Sequence, residues 1–215
     1  MSPGSRREKQ EKTRARLMRS AAKLFCRRGL EQASVDEIAQ DAGYTKGAFY
    51  SNFKSKEELF LAMLDERFSD KIGQIERALR TDEAPDEAVR HAGEDVMRLL
   101  GDDPEWEKLF LEFVGYAARN DEFRQELLTR CQAMDARLTE VYRRWSEELG
   151  LEPPVPMEDA TRMVTMMSHG FMVDKQLDPD LNEELYGTML AAFMLGLREM
   201  RRVQDAEAGT PVPGV

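Results

Sequence analysis

Apolar positions recur every three or four residues along almost the whole chain, and no stretch alternates with the two-residue period of a half-buried strand. The pattern predicts an all-α protein of about nine helices. The first runs over 9–28, with Leu17, Met18, Ala21, Leu24 and Phe25 on one stripe and Arg14, Arg16, Arg19, Lys23, Arg27 and Arg28 facing outward. Gly29 ends it. Val35, Ile38, Ala39 and Ala42 predict a short second helix, and Ala48, Phe49 and Phe53 a third over 46–53. A fourth continues to about residue 80 through Leu59, Phe60, Met63, Leu64, Phe68, Ile72, Ile75 and Leu79. Further helices are expected over 86–100, 103–119, 121–149, 157–176 and 180–203. Thr81–Pro85 and the Pro153-Pro154-Val155-Pro156 stretch break the periodicity.

The punctuation in residues 34–56 is dense. Ser34 and Glu37 have the spacing of a capping box, as do Ser55 and Glu58, and Thr45 can cap the third helix. Gly43 stands just past the second helix, where a left-handed residue is wanted. A short helix, a glycine turn and a second helix make a helix-turn-helix, whose second helix enters the DNA major groove. Its outward positions, Thr45, Lys46, Gly47, Tyr50, Ser51 and Asn52, are mostly hydrogen-bonding groups rather than salt-bridging ones. A glycine inside a helix costs about 1 kcal/mol against alanine, which makes sense at Gly47 if its backbone must approach a partner closely. Ser34, Tyr50, Lys54 and Lys56 are expected to hold phosphates, and Thr45, Lys46, Ser51 and Asn52 to approach bases.

Charge sharpens this picture. The net charge of −10 argues against nucleic acid, but its distribution does not. Residues 1–56 hold 13 Lys or Arg against 6 Asp or Glu, a balance of +7, while 57–215 carry −17. A basic head on an acidic body suits a phosphate-binding module. The chain has no apolar run long enough for a membrane span, and its first residues lack a signal-peptide core, so a cytoplasmic location is expected with no membrane partner. Cys26 and Cys131 are far apart, without metal spacing, and are expected as small core residues. No nucleophile–base pair, phosphate loop, dinucleotide motif or paired-His site can be read, so neither an enzyme nor a metal or other cofactor is expected.

Residues 9–64, about a quarter of the chain, resemble the DNA-binding domain of the tetracycline-repressor (TetR) family. The resemblance rests on Ala21-Ala22-Lys23-Leu24-Phe25 with Gly29, Ser34-Val35-Asp36-Glu37-Ile38-Ala39, Ala42-Gly43, Lys46-Gly47-Ala48-Phe49-Tyr50 and Phe53-Lys54-Ser55-Lys56-Glu57-Glu58-Leu59. Tyr44 and Ser51-Asn52 depart from the commonest form of the family, which bears on which bases are read. The expected organisation is a disordered arm over 1–8, a helix-turn-helix domain over 9–56, a helical ligand-binding and dimerisation domain over 57–204, and a disordered tail over 205–215. Arg6 and Arg7 in the arm could reach a minor groove.

The last two helices carry more apolar surface than a lone subunit needs, with small residues that allow close approach. The family resemblance implies a four-helix dimer interface there, through Met163, Met167, Gly170, Leu185, Met189, Ala192, Phe193 and Gly196. It also implies an apolar ligand pocket in the body, for which Met97, Trp106, Phe110, Glu112, Phe113, Tyr116, Met134, His169 and Met172 are the candidates. The implied function is a repressor that binds a palindromic DNA operator as a homodimer and is released by a small hydrophobic ligand. In that scheme ligand shifts the fourth helix and moves the two recognition helices out of register with grooves roughly 34 Å apart. The alternatives are a ligand-independent dimeric regulator whose body only dimerises or recruits a protein, and an enzyme using the body as a cleft.

Overall fold

The protein is described by a computed structural model over residues 3–80, 91, 103–150, 152–182 and 184–208. Eight α-helices and no strand occur among the described residues: α1 Pro3–Gln32, α2 Val35–Asp41, α3 Lys46–Tyr50, α4 Lys56–Ala78, α5 Pro104–Ala117, α6 Asp121–Glu148, α7 Met157–Leu177 and α8 Glu184–Glu207. The helix expected over 86–100 lies outside the described residues, as does Met97 within it. The residues form two compact units. One is drawn from Met1–Phe68 and Pro104–Arg130, the other from Ser69–Asp103 and Cys131–Val215.

In the first unit α1 packs on α2 and α5, and α2 packs on α3. Leu17, Ala21, Leu30, Ile38, Phe49, Phe53, Leu59 and Phe113 are buried there. Phe60 stacks on Phe113, which also meets the rings of Phe25 and Phe123 edge-on or tilted. The aromatic residues of α5 thus complete the core beneath α1 and the start of α4. In the second unit Ile72, Ile75 and Leu79 of α4 pack against Leu138, Val141 and Trp145 of α6. Val164 of α7 packs with Tyr186 and Leu190 of α8. The Tyr186 hydroxyl sits 2.5 Å from that of Ser168.

Several boundaries differ from expectation. α1 begins at Pro3, so residues 3–8 are helical rather than a disordered arm. They are Arg, Glu and Ser after Gly4, and Arg7 pairs with Glu11 one turn on at 3.0 Å. Gly29 does interrupt α1 where its end was expected: it departs from helical geometry at φ 74° and kinks the chain, and a short further turn runs on to Gln32. α3 ends at Tyr50 and not at 53, because the Ser51 and Asn52 side chains turn back to bond the carbonyls of Gly47 and Ala48. α8 starts at Glu184, whose N–H donates to Asn182 Oδ1 at 3.0 Å, and runs to Glu207 into the expected tail.

The kink at Gly29 frees a backbone donor, since the Leu30 N–H has left the helical ladder. It is received by Glu112 Oε1 of α5 at 3.3 Å. A Cβ placed on Gly29 would run into that same carboxylate oxygen, whereas one on Gly43 would meet nothing nearby. Both glycines have positive φ, 74° and 77°. Gly43→Ala should therefore cost only the left-handed backbone, about 1–2 kcal/mol. Gly29→Ala should cost more, because Glu112 must also move. Urea unfolding of the two variants should place Gly29→Ala below Gly43→Ala in midpoint.

Candidate nucleic-acid interface

The helices that form this surface are too short to hold themselves in water, so their ends carry the design. Ser34 closes a full capping box on α2. Its hydroxyl accepts the Glu37 N–H at 3.2 Å, and the Glu37 carboxylate accepts the Ser34 N–H at 3.1 Å. Arg28 of α1 pairs with the same carboxylate at 2.5 Å. These hydrogen bonds from Ser34 and then the Arg28 charge hold the Glu37 carboxyl below its ordinary value. At the other end the Gly43 N–H reaches the Gln40 carbonyl at 3.0 Å and the Tyr44 N–H the Ala39 carbonyl at 2.8 Å, the Schellman pattern. Thr45 then caps α3 by accepting the Ala48 N–H at 3.2 Å. The Ser55–Glu58 box forms only in half. Ser55 Oγ accepts the Glu58 N–H, but the Glu58 carboxylate takes the Lys54 N–H at 2.6 Å instead.

Phe49 of α3 is fully buried and Phe53 nearly so, which fixes the opposite face of α3 outward. Thr45, Lys46, Gly47, Tyr50 and Ser51 are exposed there, and so are Ser34 and Lys54. Tyr50 presents about half of its surface to solvent although it is a large aromatic (52%). The space beyond Gly47 is open, the nearest side-chain atom to a built Cβ being the Thr45 hydroxyl at 3.8 Å. Nothing within the chain therefore requires glycine at this position. Lys46 bonds Asp36 of α2 at 2.8 Å, and that bond with the Asp36 charge raises its pKa. The pair is exposed on both sides and holds Lys46 across the two helices.

Two of the sequence-predicted residues turn elsewhere. Lys56 donates to the carbonyls of Leu30, Glu31 and Ala33 at 2.5, 3.0 and 3.2 Å. All three ammonium donors are thereby engaged, on carbonyls that the Gly29 kink leaves at the end of α1. Lys56 is a cap for α1, not an open phosphate ligand. Asn52 is half-buried with its amide on the Ala48 carbonyl, so it does not reach outward. Sequence reading missed Arg14 as a clamp. Its guanidinium donates to the Asn52 carbonyl at 2.6 Å and lies 4.1 Å from the centre of the Phe53 ring, tying the end of α3 to α1. Thr13 donates to the Tyr44 hydroxyl at 3.4 Å across the same seam. No local pattern announces contacts between residues some thirty or more positions apart.

The expected pocket residues divide between the two units. Phe110 and Phe113 are buried, Trp106 stacks on Phe60, and Tyr116 donates to Glu57 at 3.3 Å, all in the first unit. Burial and then the Glu57 charge raise the Tyr116 phenol. Glu112 is exposed and engaged at the α1 kink rather than lining a pocket. Met134, His169 and Met172 belong to the second unit, where burial lowers the His169 imidazole. Cys26, expected in the core, is exposed, and Cys131 is partly buried with its thiol pushed up to about 11 by burial. The second unit does contain a cavity of about 150 Å³, lined by residues of α6, α7 and α8 and by none of those candidates. Of the expected interface residues, Met163, Gly170, Leu185, Met189, Ala192 and Gly196 are exposed, while Met167 and Phe193 are partly buried. Among the described residues no helix is long and apolar enough to cross a membrane, and no group of His, Cys, Asp or Glu is placed to hold a metal.

Residues 17–63 match the family model for bacterial regulatory proteins of the tetR family, and residues 85–198 match that for the C-terminal region of BetI-type transcriptional repressors. The HTH-type transcriptional activator FasR of Mycolicibacterium smegmatis is 33% identical over 109 residues, 51% of this chain and 49% of that one. The chain thus spans about half the length of that relative. Two solved structures share the fold. The fatty acid degradation regulator FadR of Bacillus halodurans aligns at TM-score 0.70 and 17% identity over 86% of this chain and 95% of its own. The complex of SmeT, from Stenotrophomonas maltophilia, with triclosan aligns at 0.66 and 21% over 86% and 90%.

The two lysines beside α4 should separate on stability. Lys56→Met should cost about 1–3 kcal/mol in urea unfolding, since charged hydrogen bonds to three carbonyls are lost. Lys54→Met should stay within about 0.5 kcal/mol, because that side chain is exposed.

Proposed function

This chain belongs to the tetR family of bacterial regulatory proteins, and from that premise we propose that it binds a palindromic operator as a homodimer and is released by a small hydrophobic ligand. It is a DNA-binding transcriptional regulator with a helix-turn-helix, not an enzyme. One observation supports the finer reading: α3 turns Thr45, Lys46, Gly47, Tyr50 and Ser51 to solvent while its apolar face is buried, and open space lies where a side chain on the glycine among them would go. In this reading Lys46 and Ser51 approach base edges, and Tyr50, Lys54 and Ser34 meet phosphates. The Gly47 backbone lies against the duplex. Lys56 acts on DNA only through the position of α1.

Dimerisation follows from two considerations. One recognition helix reads few base pairs, so useful specificity requires a second. The surface for it is the apolar side of α7 and α8, where Met163, Met166, Leu185, Met189 and Leu195 are 38–62% exposed. Ligand response is supported by the cavity in the second unit, and SmeT offers a precedent in its triclosan complex. α4 is common to both units and is the element through which a ligand would act. A coupling of about 1–3 kcal/mol would change operator affinity roughly 5- to 150-fold.

Fluorescence anisotropy of a palindromic duplex, selected from genomic fragments, tests the reading against salt concentration. Lys54→Ala should weaken all sequences alike and lower the salt slope by about 1, whereas Lys46→Ala should relax base preference. Gly47→Ala should raise stability by up to about 1 kcal/mol yet weaken operator binding. A variant that gains stability and binds DNA undiminished would remove the close-approach role. Met189→Glu should sediment as a monomer and lose operator affinity by more than about tenfold. A wild-type protein that stays monomeric at micromolar concentration, or ignores duplexes at low salt, would overturn the proposal.

A further inference from the structure

Asp36 is an anion on a surface that serves a polyanion. It lies in the first turn of α2, and its Oδ2 accepts a hydrogen bond from Lys46 Nζ of α3 at 2.8 Å. The two side chains are 64% and 54% exposed, so packing draws neither into the protein. An ion pair this open adds little to stability. α2 and α3 are in any case joined by the Gly43 turn and by their own packing. Glu11, Glu31 and Glu37 pair with arginines outside α3, namely Arg7, Arg119 and Arg28, whereas Asp36 reaches onto it. A carboxylate turned toward phosphates weakens binding unless it meets a hydrogen-bond donor. On the major-groove edge those donors are the amino groups of cytosine and adenine.

The pair carries no net charge, so it attracts phosphate little, and its use lies in its pattern of a donor beside an acceptor. Lys46 Nζ and Asp36 Oδ2 are 2.8 Å apart. In a G·C pair guanine O6 and cytosine N4 are joined by a hydrogen bond of about 2.9 Å, and both atoms line the major groove. While one ammonium N–H holds Asp36, two others remain, and guanine offers them two adjacent acceptors, N7 and O6. An A·T pair breaks the match. Its acceptors flank the adenine amino group, and a methyl group stands beyond them. We propose that Asp36 and Lys46 together read one G·C pair in each half-site, Lys46 donating to guanine N7 and O6 and Asp36 accepting from the cytosine amino group. This rests on the operator-binding reading above and adds to it a base-reading residue from α2 and the base pair it selects.

Selection of duplexes from a random pool by the full chain, followed by anisotropy on the selected sequence, tests this. The wild type should select a G·C pair at one position of each half-site, and A·T there should weaken binding about tenfold or more. Asp36→Ala should cut that penalty by about fivefold or more and leave the other positions as they were. Its melting temperature should stay within about 3 °C of the wild type. It should also bind an unrelated duplex more tightly, because an anion is gone and Lys46 is released to phosphate. Asp36→Asn, which keeps the size of the side chain, should move the preference to adenine in place of that cytosine, since an amide pairs with adenine. That variant decides the matter if Asp36→Ala does not fold. An unchanged penalty in Asp36→Ala, a loss spread evenly over all positions, no gain on the unrelated duplex, or an Asp36→Asn protein that keeps the cytosine would overturn the proposal. Failure of the operator reading looks different: the wild type itself would favour no sequence over another.

Discussion

Helices of seven and five residues do not persist alone in water, because nucleation consumes more order than so few hydrogen bonds return. That constraint governs the first unit. α2 and α3 exist only because their free backbone groups are answered from outside the ladder and their apolar faces are buried, α2 against α1 and α3 against α2. Ser34 and Glu37 answer one end of α2, and the Gly43 turn answers the other and reverses the chain at once into the Thr45 cap. Phe49 and Phe53 then anchor α3, and Arg14 of α1 grips the Asn52 carbonyl just past its end. With its apolar side chains committed inward, α3 is left with a polar face exposed to solvent.

The same accounting explains a lysine and a glutamate that look like surface residues. Gly29 bends α1 and strands donors and acceptors at its end. Glu112 accepts the Leu30 N–H, and Lys56 donates to the carbonyls of Leu30, Glu31 and Ala33. One comes from α5 and the other from α4, so a single kink fastens three helices together. The charges of this head are therefore of two kinds. Lys54 is exposed and open to a phosphate, while Arg14, Arg28 and Lys56 are spent within the protein. The basic balance of residues 1–56 overstates the number of cations available to DNA.

The second unit follows a different rule. Its helices are long enough to stand, and its interest lies in what they leave uncovered or unfilled. α7 and α8 turn methionines and leucines to solvent, and in the proposed homodimer a second copy covers them. Between them and α6 the packing leaves a mostly apolar cavity.

Helical class, the α2–Gly43–α3 motif and the caps at Ser34 and Thr45 were legible because each is set within a few residues of sequence. Periodicity, propensity and capping act locally, so Leu17, Phe25, Ile38 and Phe49 could be assigned to the core without a partner in view. The roles of Lys56, Glu112 and Arg14 were not legible. Each depends on a backbone group or ring that folding brings to it, some of them from scores of positions away, and a charged side chain reads the same in sequence whether it meets a carbonyl or water. The residues expected at the pocket show a related ambiguity. Trp106, Phe110, Phe113 and Tyr116 form an aromatic run that suits a ligand wall and a helix core equally, and only the presence of Phe60 and Phe25 against them decided for core. Local chemistry thus determined which helices form and how they end, while the choice between binding surface and packing contact was made by the tertiary structure, because that choice is a matter of which distant group arrives.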